Sequence, residues 1–320
     1  WYKGHNNWNG VCNGGIGAAF LLLEEDPARL AHALETVLEG LDVFLATGFE
    51  ADGTSTEGVG YWSYGTSNVI CFAEMLRLRT NGAIDILATD RVKTIATYPQ
   101  NVMISPGRYF SFSDCNEETA FGPGLVTRLA ERTGVSELLG VLSEPAGLAF
   151  GANRFHTLWR NLLWWDGIRP AKATINDVYL ASSGVTRLTA TIPGSSETAV
   201  VLAAKAGHNG VPHNHNDVGT FVINVDGETL LCDPERGLYD NYKKYGHDRV
   251  IFSNSYGHSL PVINGQLQSR GARFAGEVTR FTAKGKKKRV EMELSGAYEV
   301  PGLERVQRSL RLTKKGTLTV

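Results

Sequence analysis

The stretch Thr220-Phe221-Val222-Ile223-Asn224-Val225-Asp226-Gly227-Glu228-Thr229-Leu230-Leu231-Cys232 reads as two short strands around a two-residue turn. β-Branched and aromatic residues fill the arms, and Asp-Gly is a pair that tolerates the positive φ angles of a tight hairpin. Residues 178–181, 187–192, 198–204, 289–294 and 306–312 repeat the pattern as short, β-branched runs divided by turn signals. Before Pro170 the period is different. Asp26-Pro27 offers a capping side chain followed by proline in a first helical turn. Leu30, Leu34, Val37, Leu38, Leu41 and Leu45 then recur at helical spacing. Residues 12–23 are apolar almost all round, as in a helix buried between others. Further helical patterns cover 67–79, 118–132, 135–142 and 153–165, with glycine- and aromatic-rich loops expected at 57–65 and 105–114. The expectation is an α+β, multidomain chain: helices over 1–171, then antiparallel β structure over 172–320. Helix-end loops facing a sheet would make a long cleft, which suits a polymer.

Composition narrows the function. Lys and Arg number 32 against 33 Asp and Glu, so bulk charge does not point to nucleic acid. The one basic run, Lys284-Gly285-Lys286-Lys287-Lys288-Arg289, reads as a solvated hairpin turn. The four cysteines, Cys12, Cys71, Cys115 and Cys232, form no CxxC and read as free thiols in apolar surroundings. No run approaches the roughly 18 apolar residues of a membrane span. The chain opens mid-pattern at Trp1-Tyr2-Lys3 and stops inside a strand-like run at 316–320, so a fragment is expected.

The densest chemistry lies at Val211-Pro212-His213-Asn214-His215-Asn216-Asp217, with Asp233 and His258 downstream. On an extended backbone His213 and His215 share a face and Asn214 takes the other. So many polar groups inside an apolar β pattern are costly to bury without a purpose. A metal site with catalytic groups beside it is the reading.

The run His213-Asn214-His215-Asn216-Asp217 with Gly219-Thr220-Phe221, the Asp233-Pro234 segment, and Ser255-Tyr256-Gly257-His258-Ser259 resemble the heparinase II/III-like polysaccharide lyases. Upstream, Asn6-Asn7-Trp8-Asn9 and Glu57-Gly58-Val59-Gly60-Tyr61-Trp62-Ser63-Tyr64-Gly65 extend the resemblance in the same order. It implies an incomplete (α/α) toroid followed by an antiparallel β-sandwich, and β-elimination on uronic-acid glycans such as glycosaminoglycans or alginate.

Elimination sets three tasks: stabilising charge on the uronate, removing the C5 proton, and protonating the departing O4. By resemblance Asn7 contacts the uronate carboxylate, with Asn9 as fallback. Tyr61 is the catalytic phenol; its unperturbed pKa near ~10 makes it a ready donor. Tyr64 could replace it if the alignment slips. His213 is the catalytic imidazole, titrating near neutral pH. Either Tyr61 or His213 could be the base. His215, Asp233 and His258 match the family's metal ligands, a set that suits a structural Zn2+. Glu57, Arg108, His156, Tyr245 (or Tyr239) and Arg249 are weaker candidates for substrate contacts, and Trp8, Trp62, Tyr109, Trp159 and Trp164 for sugar stacking. His32, His208 and His247 are assigned nothing.

The implied partner is an anionic uronate polysaccharide or oligosaccharide, with neither nucleic acid nor membrane; a homodimer is compatible with the reading. The resemblance favours a secreted or periplasmic protein, with the cytoplasm left open. Two alternatives stand beside the lyase: a metal-dependent glycan hydrolase, which lacks an obvious general-base carboxylate, and a catalytically inactive carbohydrate-binding relative. Trp8 favours the latter, standing where some relatives carry histidine.

Overall fold

The computed structural model describes residues 1–143, 155–167, 170, 173–192, 194, 199–285 and 287–320. The chain divides into two compact units. The first comprises Trp1–Gln100 with Thr119–Ala173, the second Asn101–Glu118 with Thr174–Val320.

The first unit is helical: α1 (Asn7–Leu23), α2 (Pro27–Thr47), α3 (Val59–Arg79), α4 (Asp90–Ala96), α6 (Pro123–Thr133), α7 (Phe155–Trp164) and a 3-10 turn over Ser136–Leu142. The four-residue α5 (Tyr98–Asn101) closes its first segment. As the sequence predicts, the Asp26 side chain accepts from the Arg29 N–H and Pro27 occupies the first turn of α2. Helix α1 packs on α3 through small residues. A Cβ on Gly14 would stand 2.7 Å from the Asn68 carbonyl oxygen, so only glycine permits this approach. Behind it, Val37, Leu41 and Phe44 of α2, Phe72 and Leu76 of α3, and Leu125 and Leu129 of α6 are buried. Each such side chain contributes about 1.5–3 kcal/mol by leaving water.

Residues 59–65, expected as loop, are instead the first two turns of α3. Their glycines and aromatics imitate a loop, but Val59, Trp62 and Gly65 are buried, and the Trp62 Nε1–H donates to the Ile95 carbonyl (3.0 Å). Packing overrides the local signal here.

The second unit begins with the hairpin β1 (Met103–Ser105) and β2 (Arg108–Tyr109). In sequence this segment lies among helices. A buried Arg187 ties it to the sheets, donating to the Met103 and Asn176 carbonyls. Two five-stranded sheets follow. One runs β3 (Val178–Leu180), β4 (Val185–Ala190), β5 (Val200–Lys205), β7 (Phe221–Val225), β8 (Glu228–Leu231). The other runs β12 (Leu318–Thr319), β11 (Gln307–Thr313), β10 (Lys287–Glu293), β9 (Gly271–Thr282), β6 (Gly207–Asn209). Neighbouring strands are antiparallel throughout. Leu188, Leu202 and Ala204 of the first sheet share one core with Val290, Met292, Leu310 and Leu312 of the second. Asp226 and Gly227 take φ +50° and +87°, the two positive angles required of the β7–β8 turn. A short helix, α8 (Tyr239–Tyr245), lies between the β8 hairpin and a loop carrying two 3-10 turns, His247–Arg249 and Ser255–Gly257.

Candidate active site

In the first unit Asn7 is the opening residue of α1, where backbone N–H groups lack helical acceptors. The Asn6 side chain caps the helix by accepting from the Trp8 N–H (3.2 Å). Glu57 completes the arrangement: Oε2 accepts from the Asn7 N–H (2.6 Å) and Oε1 from its Nδ2 (2.8 Å). Both residues are buried. A carboxylate at the positive end of a helix is itself favoured. The carboxylate of Glu57, expected as a substrate contact, is therefore spent on orienting Asn7. Asn9, the fallback for the carboxylate contact, is engaged more fully. It is fully buried, its Nδ2 donates to the Gly4 (2.9 Å) and Gly40 (2.8 Å) carbonyls, and its Oδ1 accepts from Asn13 (2.8 Å). With both amide hydrogens engaged, Asn9 staples the N-terminal segment to α2 and has no donor left for a ligand.

Tyr61 and Tyr64 lie half-buried, three residues apart in the opening turns of α3. Of the aromatics expected to stack on sugar, Trp62 and Tyr109 are core residues, and burial alone pushes the Tyr109 phenol far upward. Arg128 and Arg160 flank the Trp164 ring, whereas Trp8 and Trp159 are exposed. The side chains of His156 and Tyr239 lie outside the described residues.

In the second unit the fold gathers the histidines. His215, Asp233 and His258 are buried, with one potential ligand atom from each falling within 4.8 Å of the others. The His215 and His258 rings stand 5.3 Å apart between centroids. His258 Nδ1 lies 2.8 Å from Asp233 Oδ2. That leaves His258 Nε2 and Asp233 Oδ1 buried with no hydrogen-bond partner among the described residues. Two orphaned buried atoms beside a second imidazole, that of His215, fit a metal ion, since such atoms are otherwise costly to leave unpaired. Burial depresses the His258 pKa, but Asp233, by charge and hydrogen bond, and Asp217 outweigh it, leaving the imidazole raised overall. Beneath the group, Lys205 Nζ meets Asp217 Oδ1 at 2.5 Å in a buried ion pair. Burial favours a neutral Asp217, but the Lys205, His258 and His215 charges prevail and lower its pKa.

Asp114, absent from the sequence-based candidates, joins the two histidines of the motif. Its Oδ2 lies 2.8 Å from His213 Nδ1 and its Oδ1 lies 3.1 Å from His215 Nε2. Burial would raise its pKa, yet the hydrogen bonds and charges of the two imidazoles hold it well below the carboxylate range. His213 itself is partly exposed and takes φ +56°, an uncommon conformation for a residue with a side chain. Arg108 is held by Glu117 Oε1 (2.6 Å) and Glu118 Oε1 (3.1 Å), which raise its pKa further. Its charge is thus already balanced. Tyr245 and Arg249 are exposed, with Lys244 Nζ 4.9 Å from the Tyr245 ring.

A helical unit joined to a two-sheet antiparallel unit with a buried His-Asp-His group defines the structural class. No family model and no curated protein matches the chain by sequence. Solved structures do match. Heparinase III aligns with a TM-score of 0.73 at 15% identity, covering 99% of this chain and 47% of that one. The heparan sulfate lyase HepC from Pedobacter heparinus gives 0.63 at 14% identity, covering 95% and 43%. The fold of this chain is therefore that of the heparinase III structures, as the motif resemblance led one to expect. The chain spans less than half the length of these neighbours.

Proposed function

We propose that the protein is a polysaccharide lyase cleaving uronic-acid-containing glycans by β-elimination. The observation that carries this reading is the heparinase III fold along 99% of the chain, in which the motif histidines cluster around buried carboxylates. On this reading residues 1–171, apart from segment 101–118, are a portion of an (α/α) toroid, and residues 172–320 a β-sandwich.

Asn7 donates to the uronate carboxylate, so that negative charge accumulating on it as C5–H breaks is stabilised. The α1 N-terminus adds a favourable potential at the same residue. Tyr61, in the opening turn of α3, supplies the phenol, and His213 the imidazole. One of these removes the C5 proton. The C5–H electron pair forms the C4=C5 double bond, the C4–O4 bond breaks with its pair on O4, and the phenol O–H protonates that oxygen. His215, Asp233 and His258 would hold a zinc ion, whose role there would be to cross-link the loops bearing them rather than to activate water. Elimination consumes none.

Heparan sulfate heads a substrate screen because the structural neighbour HepC is a heparan sulfate lyase, followed by alginate, hyaluronan and bacterial uronate polymers. The lyase is expected to release products with the ultraviolet absorbance of an unsaturated uronate, and Tyr61→Phe to lower that rate by at least about 100-fold. An unchanged rate in Tyr61→Phe contradicts the mechanism. Saturated ends would indicate hydrolysis, and binding without product an inactive relative.

A further inference from the structure

We propose that Asp114 is a positioning residue that fixes opposite tautomers in the two motif histidines: Nδ1–H in His213 and Nε2–H in His215. An ionised carboxylate only accepts hydrogen bonds, so each ring nitrogen facing it must carry the proton. Oδ2 faces His213 Nδ1 at 2.8 Å and Oδ1 faces His215 Nε2 at 3.1 Å. A neutral imidazole has one N–H, and its remaining nitrogen carries the lone pair. The basic atom is therefore Nε2 in His213 and Nδ1 in His215. Two histidines two residues apart, of the same chemical kind, are differentiated by one acid 99 positions upstream of the first.

The backbone supports the same clasp. The Asp114 N–H donates to the His213 carbonyl (3.1 Å), so Asp114 grips His213 by main chain and side chain together. Ser113 and His213 both adopt left-handed φ, +64° and +56°, on the two sides of that bond. Such backbone persists where surrounding structure over-determines it. Here Lys205 Nζ reaches Ser113 Oγ (3.5 Å), and the segment's other end is held where Glu117 Oε1 accepts from Thr229 (2.7 Å). An aspartate aligning an imidazole by its Nδ1–H is a general means of presenting Nε2 for proton transfer, and one fixing a metal-binding histidine sets which nitrogen ligates. The catalytic consequence for His213 rests on the lyase reading; the tautomers do not.

Nitrogen-15 NMR of the histidine rings in the intact protein, above the pH at which the imidazoles are charged, reads the tautomers directly. His213→Gln and His215→Gln supply the assignments. Wild type is expected to show a protonated Nδ1 in His213 and a protonated Nε2 in His215. Asp114→Asn must turn its NH2 toward one ring, and that ring's tautomer is expected to invert. A protonated Nε2 in wild-type His213, or both tautomers unchanged in Asp114→Asn, overturns the inference even in an active lyase. Wild type with the expected tautomers but no product from any uronate polymer would sink the lyase reading alone. In an active enzyme, Asp114→Ala is expected to lower kcat by about 10- to 100-fold with little change in KM, and Asp114→Glu to restore part of it. Melting curves recorded for Asp114→Ala itself and for the near-isosteric Asn variant separate a loss of fold from a loss of positioning.

Discussion

Asn7 and Asn9, two residues apart in one asparagine-rich run, have separate fates because of what surrounds them. Asn7 faces a carboxylate, whereas Asn9 faces two backbone carbonyls. Sequence alone could rank them but not separate them, since both partners come from distant positions. Glu57→Ala would strand two buried donors of Asn7, a loss of about 1–3 kcal/mol. Asn9→Ala should cost a similar amount by orphaning the Gly4 and Gly40 carbonyls. Chemical denaturation checks both, and turnover per folded molecule should fall in Glu57→Ala but hold in Asn9→Ala. Equal effects on turnover would erase the distinction. The histidine motif was legible because its spacing is local. Asp114 was not, because a single acid in an aromatic loop gives no signal until the fold delivers it.

At the scale of elements, amphipathic period and turn chemistry were the readable quantities. Helix α2, with its Asp-Pro start, and the β7–β8 hairpin are formed as their sequences indicate. Strand β9, twelve residues long, gave no strand pattern because Gly276 interrupts it and its charged residues, Arg273, Glu277 and Arg280, fall four and three residues apart rather than in alternation. Helix α6 is fastened to α3 and the following loop by ions: Arg132 contacts Glu74 (2.9 Å) and Asp85, and Arg77 also reaches Asp85 (3.3 Å). Burial works to raise the Asp85 pKa, but the Arg132 hydrogen bond and charge, the Leu87 N–H and Arg77 outweigh it and leave it depressed. A depressed folded-state pKa stabilises above the unfolded value, about 3.9, and the stabilisation disappears as pH falls through the folded-state value. Asp85→Asn should therefore be less stable than wild type at neutral pH, with the gap closing as pH falls below the ordinary aspartate value and through the depressed folded-state one. Thermal melts across that range test this; a gap independent of pH would show that the aspartate's charge is immaterial.

Over the whole molecule, the change of period near Pro170 separates helices from sheets, but it cannot show that segment 101–118 folds with the sheets. That assignment depends on Arg187 and on β1–β2 pairing, both long-range. None of the described helices is long and apolar enough to cross a membrane. The buried His215–Asp233–His258 group predicts that one zinc ion co-purifies with the protein and that chelation lowers its Tm, because an emptied site leaves buried polar atoms unpaired. Elemental analysis showing no metal, with a melting temperature indifferent to chelator, would count against the site.

Elimination and hydrolysis differ by one molecule of water. Digestion of a uronate polymer, followed by mass spectrometry of the new ends, is expected to give unsaturated products one water lighter than hydrolytic ones. Saturated ends of full hydrolytic mass would contradict a lyase.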